Sequence, residues 1–187
     1  VTKIPLQLNL QKDDIEYAKG FLKDKFINEN DLIVGFHPGC SSLKNHTMRR
    51  WEPQKFAELG KKLITEYNAK ILLFGGGEEE TLKDIILAQI DSANARSVNT
   101  FGMTKTAAIM KHCNLFVTND SSLMHVAAAL KLNVLALIGP TNKNYIVIFF
   151  GNFFCIVCIK LFSAWRKPNN KNFPSTFFDC RFNCLNH

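Results

Sequence analysis

Val117-Thr118-Asn119-Asp120-Ser121-Ser122-Leu123-Met124-His125-Val126-Ala127-Ala128-Ala129 reads as a buried strand running straight into a helix. The apolar run Leu115-Phe116-Val117 supplies the strand, and Leu123, Val126, Ala127 and Leu130 recur at helical spacing. Asp120 is the expected N-cap, because its carboxylate can accept from backbone N–H groups two or three residues on. The small Ser121 and Ser122 leave the first-turn N–H groups open. A strand that feeds an open helix N-terminus is a ready anion site, since the orphan N–H groups and the helix dipole both favour negative charge. Capping alone also produces strand-Asp-Ser-helix junctions, so function here depends on what the rest of the chain brings to the same edge.

Three other strand ends point to that edge. Leu32-Ile33-Val34-Gly35-Phe36 is a short apolar run suited to a buried parallel strand, and it ends in His37-Pro38-Gly39-Cys40-Ser41-Ser42. Gly39 lets the backbone approach a ligand, and Ser41 offers a hydroxyl. The loop continues through Lys44, His46, Arg49 and Arg50 to Trp51, and either arginine suits a phosphate in bidentate fashion. A solvated basic loop anchored by Trp51 is the competing reading. Lys70-Ile71-Leu72-Leu73-Phe74 stops at Gly75-Gly76-Gly77, followed by Glu78-Glu79-Glu80. The glycines permit a tight turn, the acids suit a helix start, and a carboxylate there is placed to accept from ribose hydroxyls. This is not a G-x-G-x-x-G loop, which argues against NAD. Asn133-Val134-Leu135-Ala136-Leu137-Ile138 is another buried strand, ending in Gly139-Pro140-Thr141-Asn142 with the Thr141 hydroxyl in a tight loop.

Helical patterns separate these strands. Asp13 to Phe26 places Ile15, Ala18, Leu22 and Phe26 on one face. Glu52-Pro53 opens a helix that turns Phe56, Leu59, Leu63 and Tyr67 to the core, and Leu82, Ile85, Ile86 and Gln89 continue the helix begun by the acids. Ser97 to Phe101 is expected as a short strand, and Gly102-Met103-Thr104 leads into a helix through Ala107, Ala108 and Met110. Met103 is placed either against a base or in the core, and His112 is expected to answer a C-terminal helix dipole. Alternating strands and helices predict an α/β fold on a parallel sheet, and such sheets bind ligands beyond the carboxyl ends of their strands.

The chain has 187 residues and is 47% hydrophobic, a globular composition. No signal peptide is visible, and the absence of an initial Met is expected of a fragment. Residues 1–140 hold 17 Lys/Arg and 15 Asp/Glu, whereas 141–187 hold six basic residues, one acid, nine of the 16 Phe and four of the six Cys. Three segments follow: a linker and leading helix (1–30), the strand-helix body (31–142) and a basic, Phe/Cys-rich tail (143–187). The tail suits an anionic membrane surface, an anionic glycolipid or nucleic acid, with a solvated basic face over a Phe-rich core as the competing reading. Its aromatics are spaced like core residues and not like a stacking platform, which argues against nucleic acid. Tyr145 to Phe162 nears membrane-span length but is interrupted by Gly151, Asn152 and Lys160, so two buried strands joined at Gly151-Asn152 are expected. Cys155-x-x-Cys158 and Cys180-x-x-x-Cys184 have 21 residues between the pairs. Four such thiols can make a tetrahedral zinc site, although the spacing is not that of a clean zinc ribbon and buried free thiols explain it better.

With these stretches assembled, the chain resembles the C-terminal half of glycosyltransferase family 9, the heptosyltransferase family of lipopolysaccharide core assembly. The resemblance rests on His37-Pro38-Gly39, Arg49-Arg50-Trp51 with Phe56-Ala57-Glu58-Leu59, Leu73-Phe74-Gly75-Gly76, Thr118 through Leu130, and Gly139-Pro140-Thr141. It spans about residues 30 to 142. The resemblance implies a Rossmann-like parallel sheet with helices on both faces, as the C-terminal half of a GT-B fold with its two domains facing a cleft. It implies inverting transfer from ADP-heptose to a glycolipid acceptor, with no metal or other cofactor required. The donor site it implies has Arg49 near the phosphates and sugar, and one of the Glu78–Glu80 carboxylates, Glu78 or Glu79 foremost, on the ribose. The Ser121 and Ser122 N–H groups hold the diphosphate, with Asp120 and His125 close by. Gly39, Ser41, Met103 and Thr141 complete the set. The general base and acceptor site are expected in an N-terminal domain that this sequence does not include. A cytoplasmic enzyme, peripheral at the inner membrane of a Gram-negative-type bacterium, is the corresponding location. Three departures stand out: Arg49 where Lys is common, Ser122 where Gly is frequent, and the N-terminal domain missing from this sequence. The closing helix expected after Cys184 is missing too, and the tail matches poorly from about 146. The rival reading is a non-catalytic nucleotide-binding module, or a structural one stapled by zinc.

Overall fold

The computed structural model describes residues 8–40, 50–100 and 102–137, together with the backbone of 153–156. Helices and strands alternate along them. The elements are α1 (Lys12–Asp24), β1 (Ile33–His37), α2 (Pro53–Tyr67), β2 (Lys70–Phe74), α3 (Glu80–Ile90), β3 (Ala95–Val98), α4 (Met103–Met110), β4 (Leu115–Asn119), α5 (Ser122–Ala129), β5 (Val134–Leu137) and β6 (Phe153–Ile156). The strands form one parallel sheet in the order β3-β2-β1-β4-β5-β6. This is the doubly wound dinucleotide-binding order, whose direction reverses between β1 and β4. All six strands therefore end on one edge, and the expected α/β fold with a Rossmann-like sheet is what the chain adopts.

The period of two along each strand explains the layers. Val34 and Phe36 of β1, Ile71 and Leu73 of β2, Leu115 and Val117 of β4 and Leu135 and Leu137 of β5 pack on one face against α2 and α3. Ile33, Leu72, Phe74, Phe116 and Val134 pack on the other face against α1, α4 and α5. Strands buried on both faces read as unbroken apolar runs, which is why they were legible as strands but not as amphipathic ones. Gly35 is the exception in β1: a Cβ there would lie 2.5 Å from Phe116 Cδ2 and 3.0 Å from Cys113 Sγ. The absent side chain makes room for the Phe116 ring, which stacks in tilted fashion on Phe74 at 5.4 Å.

Several local expectations are corrected. Phe26 is 84% exposed, and Ile27 fills the core position instead. Phe26 stands outside the helix at φ 56°, so the helical period no longer applies to it. The third strand is Ala95–Val98 and not 97–101, because pairing with β2 sets its register from Ala95 opposite Ile71. His112 does not lean toward the charged form: burial first, then Lys19 and Lys111, lower its pKa against the opposing pull of Glu29. Of the two tail strands expected around Gly151-Asn152, the second contains β6, which pairs parallel with β5, and the first lies outside the described residues. The remainder of 145–162 lies outside the described residues. Among the described residues no helix is long and apolar enough to cross a membrane.

Candidate functional site

The reversal between β1 and β4 leaves a crevice where the loop after β1 and the β4–α5 junction meet. Asn119, the last residue of β4, is fully buried there. Its Nδ2 donates to the Pro38 carbonyl at 2.8 Å, and its Oδ1 accepts from the Trp51 N–H at 3.0 Å. One side chain thus ties both ends of the basic loop to β4. Arg50 reinforces the closure, its Nη2 donating to the Cys40 carbonyl at 3.0 Å, while its Nε is buried with no hydrogen-bond partner among the described residues. Trp51 is buried edge-on to Phe56 at 4.9 Å, which fixes the far end of the loop in the core.

At the head of α5 the cap falls one residue later than expected. Ser121, with φ −150° and ψ 170°, is the N-cap, and Asp120 sits before it, half-buried. The Ser121 hydroxyl makes no cap bond; it pairs with the Thr118 hydroxyl at 3.1 Å, and the Thr118 hydroxyl donates to the Asn119 carbonyl at 2.9 Å. Strand sterics decide this: Thr118 is buried, and its hydroxyl must find partners nearby. Met124 N–H turns back to the Ser121 carbonyl at 3.2 Å, so the first-turn N–H groups of Ser122 and Leu123 are the ones that face outward from the helix end. Ser122 is exposed, and His125 is exposed one turn further along.

The β2 end supplies the third wall. Gly77–Glu79 forms a single 3-10 turn ahead of α3. Glu78 is exposed. Glu79 turns inward, its Oε2 accepting from the Gly76 N–H at 2.8 Å. Its side chain lies against Gly39, where a Cβ would stand 2.7 Å from Glu79 Cδ and would overlap Cγ and Oε1. Gly39 is therefore small for a visible reason, and Gly39 and Glu79 meet as a pair. Beneath them His37 is buried, its Nδ1 donating to the Phe74 carbonyl at 3.0 Å, which places the proton on that nitrogen. Burial lowers the pKa of His37; the Phe74 carbonyl and Glu79 pull it up, and Arg50 and Lys83 push it down.

Met103 opens α4 and is 48% exposed, so it is not a core residue. It follows Gly102, whose φ of 104° suits glycine alone. From β4 to β3 the sheet edge spans three strand spacings, roughly 14 Å, a length an extended nucleoside diphosphate covers. Ser41, Arg49 and Thr141 lie outside the described residues, as do Cys158, Cys180 and Cys184. Cys155 falls in β6, in register with Ala136. Among the described residues no cluster of three or more His, Cys, Asp or Glu could hold a metal ion. A shallow hollow of about 410 Å3 beside the start of β3, lined by Leu87, Asp91 and Arg96, sits at the opposite edge and contains none of these groups.

Asn119, His37 and Lys83 are the residues sequence reasoning passed over. A polar residue closing an apolar strand was the available signal for the first two, and nothing in the spacing marked the third.

A doubly wound parallel sheet with glycine turns, an inward acid and an open helix head at its reversal defines a Rossmann-like α/β domain. The description glycosyltransferase family 9 (heptosyltransferase) matches residues 2–155, and the chain belongs to that family. The match begins well before residue 30 and extends past 142. The chain is 34% identical over 134 residues to lipooligosaccharide heptosyltransferase 2 of Haemophilus influenzae, covering 70% of this chain and 38% of that protein. It is 35% identical over 135 residues to lipopolysaccharide heptosyltransferase 2 of Escherichia coli, again covering 70% and 38%. The solved structure of E. coli ADP-heptose lps heptosyltransferase II superposes with a TM-score of 0.68 at 28% identity, over 82% of this chain and 46% of that one. The chain thus spans about two fifths of the length of the curated relatives it matches.

Proposed function

We propose that this chain is the donor-binding half of a heptosyltransferase, holding an ADP-activated heptose at the carboxyl edge of the sheet. The observation that carries the reading is the convergence of the β1, β2 and β4 ends on one crevice at the sheet reversal. The related E. coli structure is named for ADP-heptose. In this reading the diphosphate rests on the outward N–H groups of Ser122 and Leu123, beside Ser121 and Asp120. Arg49 adds positive charge, Glu79 or Glu78 faces the ribose, and Met103 lies toward the base. Negative charge grows on the departing diphosphate as the sugar leaves, and a helix head with an arginine stabilises it where it forms. The general base, the glycolipid acceptor site and the inverting outcome are assigned to the part of the relatives' length that this chain does not span. Contact of the basic tail with an anionic membrane belongs to the same proposal.

Titration calorimetry with ADP, UDP and GDP tests the reading. ADP binding with little or no UDP or GDP binding is expected. No binding of any of the three at millimolar concentration sinks it.

A further inference from the structure

Lys83 is fully buried, on the first turns of α3. A lysine is almost never fully buried unless its charge is met, because desolvation of an ammonium is costly. All three donors of this one are used. Nζ donates to the Glu80 carboxylate at 2.9 Å, to Asn99 Oδ1 at 2.8 Å and to the Gly75 carbonyl at 3.3 Å. The Glu80 partner is 45% exposed and reachable by water, so the ion pair alone does not account for the burial. The other two acceptors lie at the exits of β2 and β3, the two loops that flank the nucleoside end of the crevice.

The Gly75 contact has a specific consequence. The Gly75 carbonyl and the Gly76 N–H belong to one planar trans peptide, so their directions are fixed relative to each other. The oxygen points to Lys83, and the N–H points to Glu79 Oε2. Both flanking residues are glycines, for which rotation of that peptide meets little steric resistance. Within the glycine turn the Glu79 carboxylate holds this plane at its N–H end, and Lys83 holds the oxygen end. We propose that Lys83 is a positioning residue: it grips the oxygen of the Gly75–Gly76 peptide, which presents the N–H of the same peptide to Glu79 and fixes the Glu79 carboxylate against Gly39. The role in nucleotide binding rests on the donor-site reading above, taken with Glu79 as the carboxylate that faces the ribose. The bond to Asn99 joins the β3 exit, and with it the Gly102-Met103 corner, to the same ammonium.

Lys83→Met keeps the length of the side chain and removes its donors. Amide exchange followed by NMR reads the peptide directly, with no ligand present. Exchange at Gly76 should rise at least tenfold, while amides in the middle of β1 and β4 stay within twofold of wild type. For ADP, Lys83→Met and Glu79→Ala should each weaken binding about tenfold, and the double variant should also lose about tenfold and not about a hundredfold, because the two act through one contact. Unchanged Gly76 exchange, or additive losses, overturns the assignment, since a merely structural lysine moves all amides together and couples to no single side chain. If Lys83→Met loses its near-ultraviolet dichroism, Asn99→Ala, at an exposed residue, replaces it. That change loosens the ammonium and should raise Gly76 exchange about threefold, and no rise overturns the assignment. Absence of ADP binding by the wild-type chain overturns the donor-site reading alone, because the exchange readout involves no ligand.

Discussion

Asn119 offers the sharpest test of how the crevice is held. Asn119→Ala removes the acceptor for the Trp51 N–H and the donor for the Pro38 carbonyl, bonds of 3.0 and 2.8 Å that span 68 and 81 residues of chain. Both groups are buried, and each orphaned group costs about 1–3 kcal/mol. The loss should therefore be about 2–6 kcal/mol, a large part of the roughly 5–15 kcal/mol that domains possess. Urea denaturation reads it as a fall in midpoint of at least about 1 M at a slope of about 2 kcal/mol per M. Asn119→Asp separates the two bonds. The introduced carboxylate still accepts from Trp51 N–H but faces the Pro38 carbonyl with an acceptor, unless it is protonated. Protonation in the folded state restores the donor, so the introduced acid should have a folded pKa above its unfolded value. The folded state then binds more protons, and its stability falls as pH rises. Asn119→Asp should thus gain stability from pH 7 to pH 5. An Asn119→Ala loss below about 0.5 kcal/mol, or an Asn119→Asp variant indifferent to pH over that range, refutes the clamp; surface substitutions away from special features typically change stability by no more than that.

Two further outcomes follow from the same crevice. In Gly39→Ala the new Cβ overlaps a flexible Glu79 side chain and not backbone, so the fold should survive with a loss of about 1 kcal/mol. ADP binding should weaken about tenfold as Glu79 is displaced, a factor equal to about 1.4 kcal/mol; calorimetry showing wild-type affinity in a folded variant contradicts the Gly39–Glu79 pairing. His37 is held neutral mainly by burial, which prevails over the upward pulls of the Phe74 carbonyl and Glu79; Arg50 and Lys83 add smaller downward pushes. Below the unfolded value of about 6.5 the unfolded chain binds the extra proton more readily. Its contribution is complete above that pH and is lost as pH falls, by up to about 1.4 kcal/mol per unit. Asn at position 37 keeps a donor for Phe74 and cannot titrate, so His37→Asn should flatten the decline between pH 7.5 and 5.5, leaving the smaller part due to His112. An unaltered decline shows that His37 is not the group responsible.

What the sequence made legible was what periodicity and punctuation encode. β2 stands where Lys70-Ile71-Leu72-Leu73-Phe74 was read, because an apolar run between a turn and three glycines has few other solutions. The β4–α5 junction is equally plain, apart from one residue of cap position, since Asp120 and Ser121 are both residue types favoured at an N-cap. Phe26 misled because a helical period was carried past the residue that ends the helix. β3 was misplaced because its four residues, Ala95–Val98, carry Arg96 and Ser97 in the middle, and only pairing with β2 makes a strand of them. Arg49, Arg50 and the loop between Gly39 and Trp51 were read as basic and long. That the loop is closed by Asn119 from another strand is a contact 68 to 81 residues away, which no local pattern records.

The polar groups of this edge divide by burial, and the division bears on function. Ser122, His125 and Glu78 are exposed on a helix head or a glycine turn, as is the apolar Met103 after Gly102. Asn119, Lys83, His37 and Thr118 are buried, and each bonds a backbone carbonyl or amide at a strand exit. In the proposed donor site the first group meets the ligand and the second holds loop backbone still before the ligand arrives. A helix head offers N–H groups at no reorganisation cost only if the peptide planes around it are already fixed, and preorganised donors are what stabilise a departing diphosphate. Glycine turns alone would not provide that, because their backbone is free to rotate. The buried side chains restore the rigidity that glycine removes, which explains why this edge combines its most permissive backbone with its least exposed polar residues.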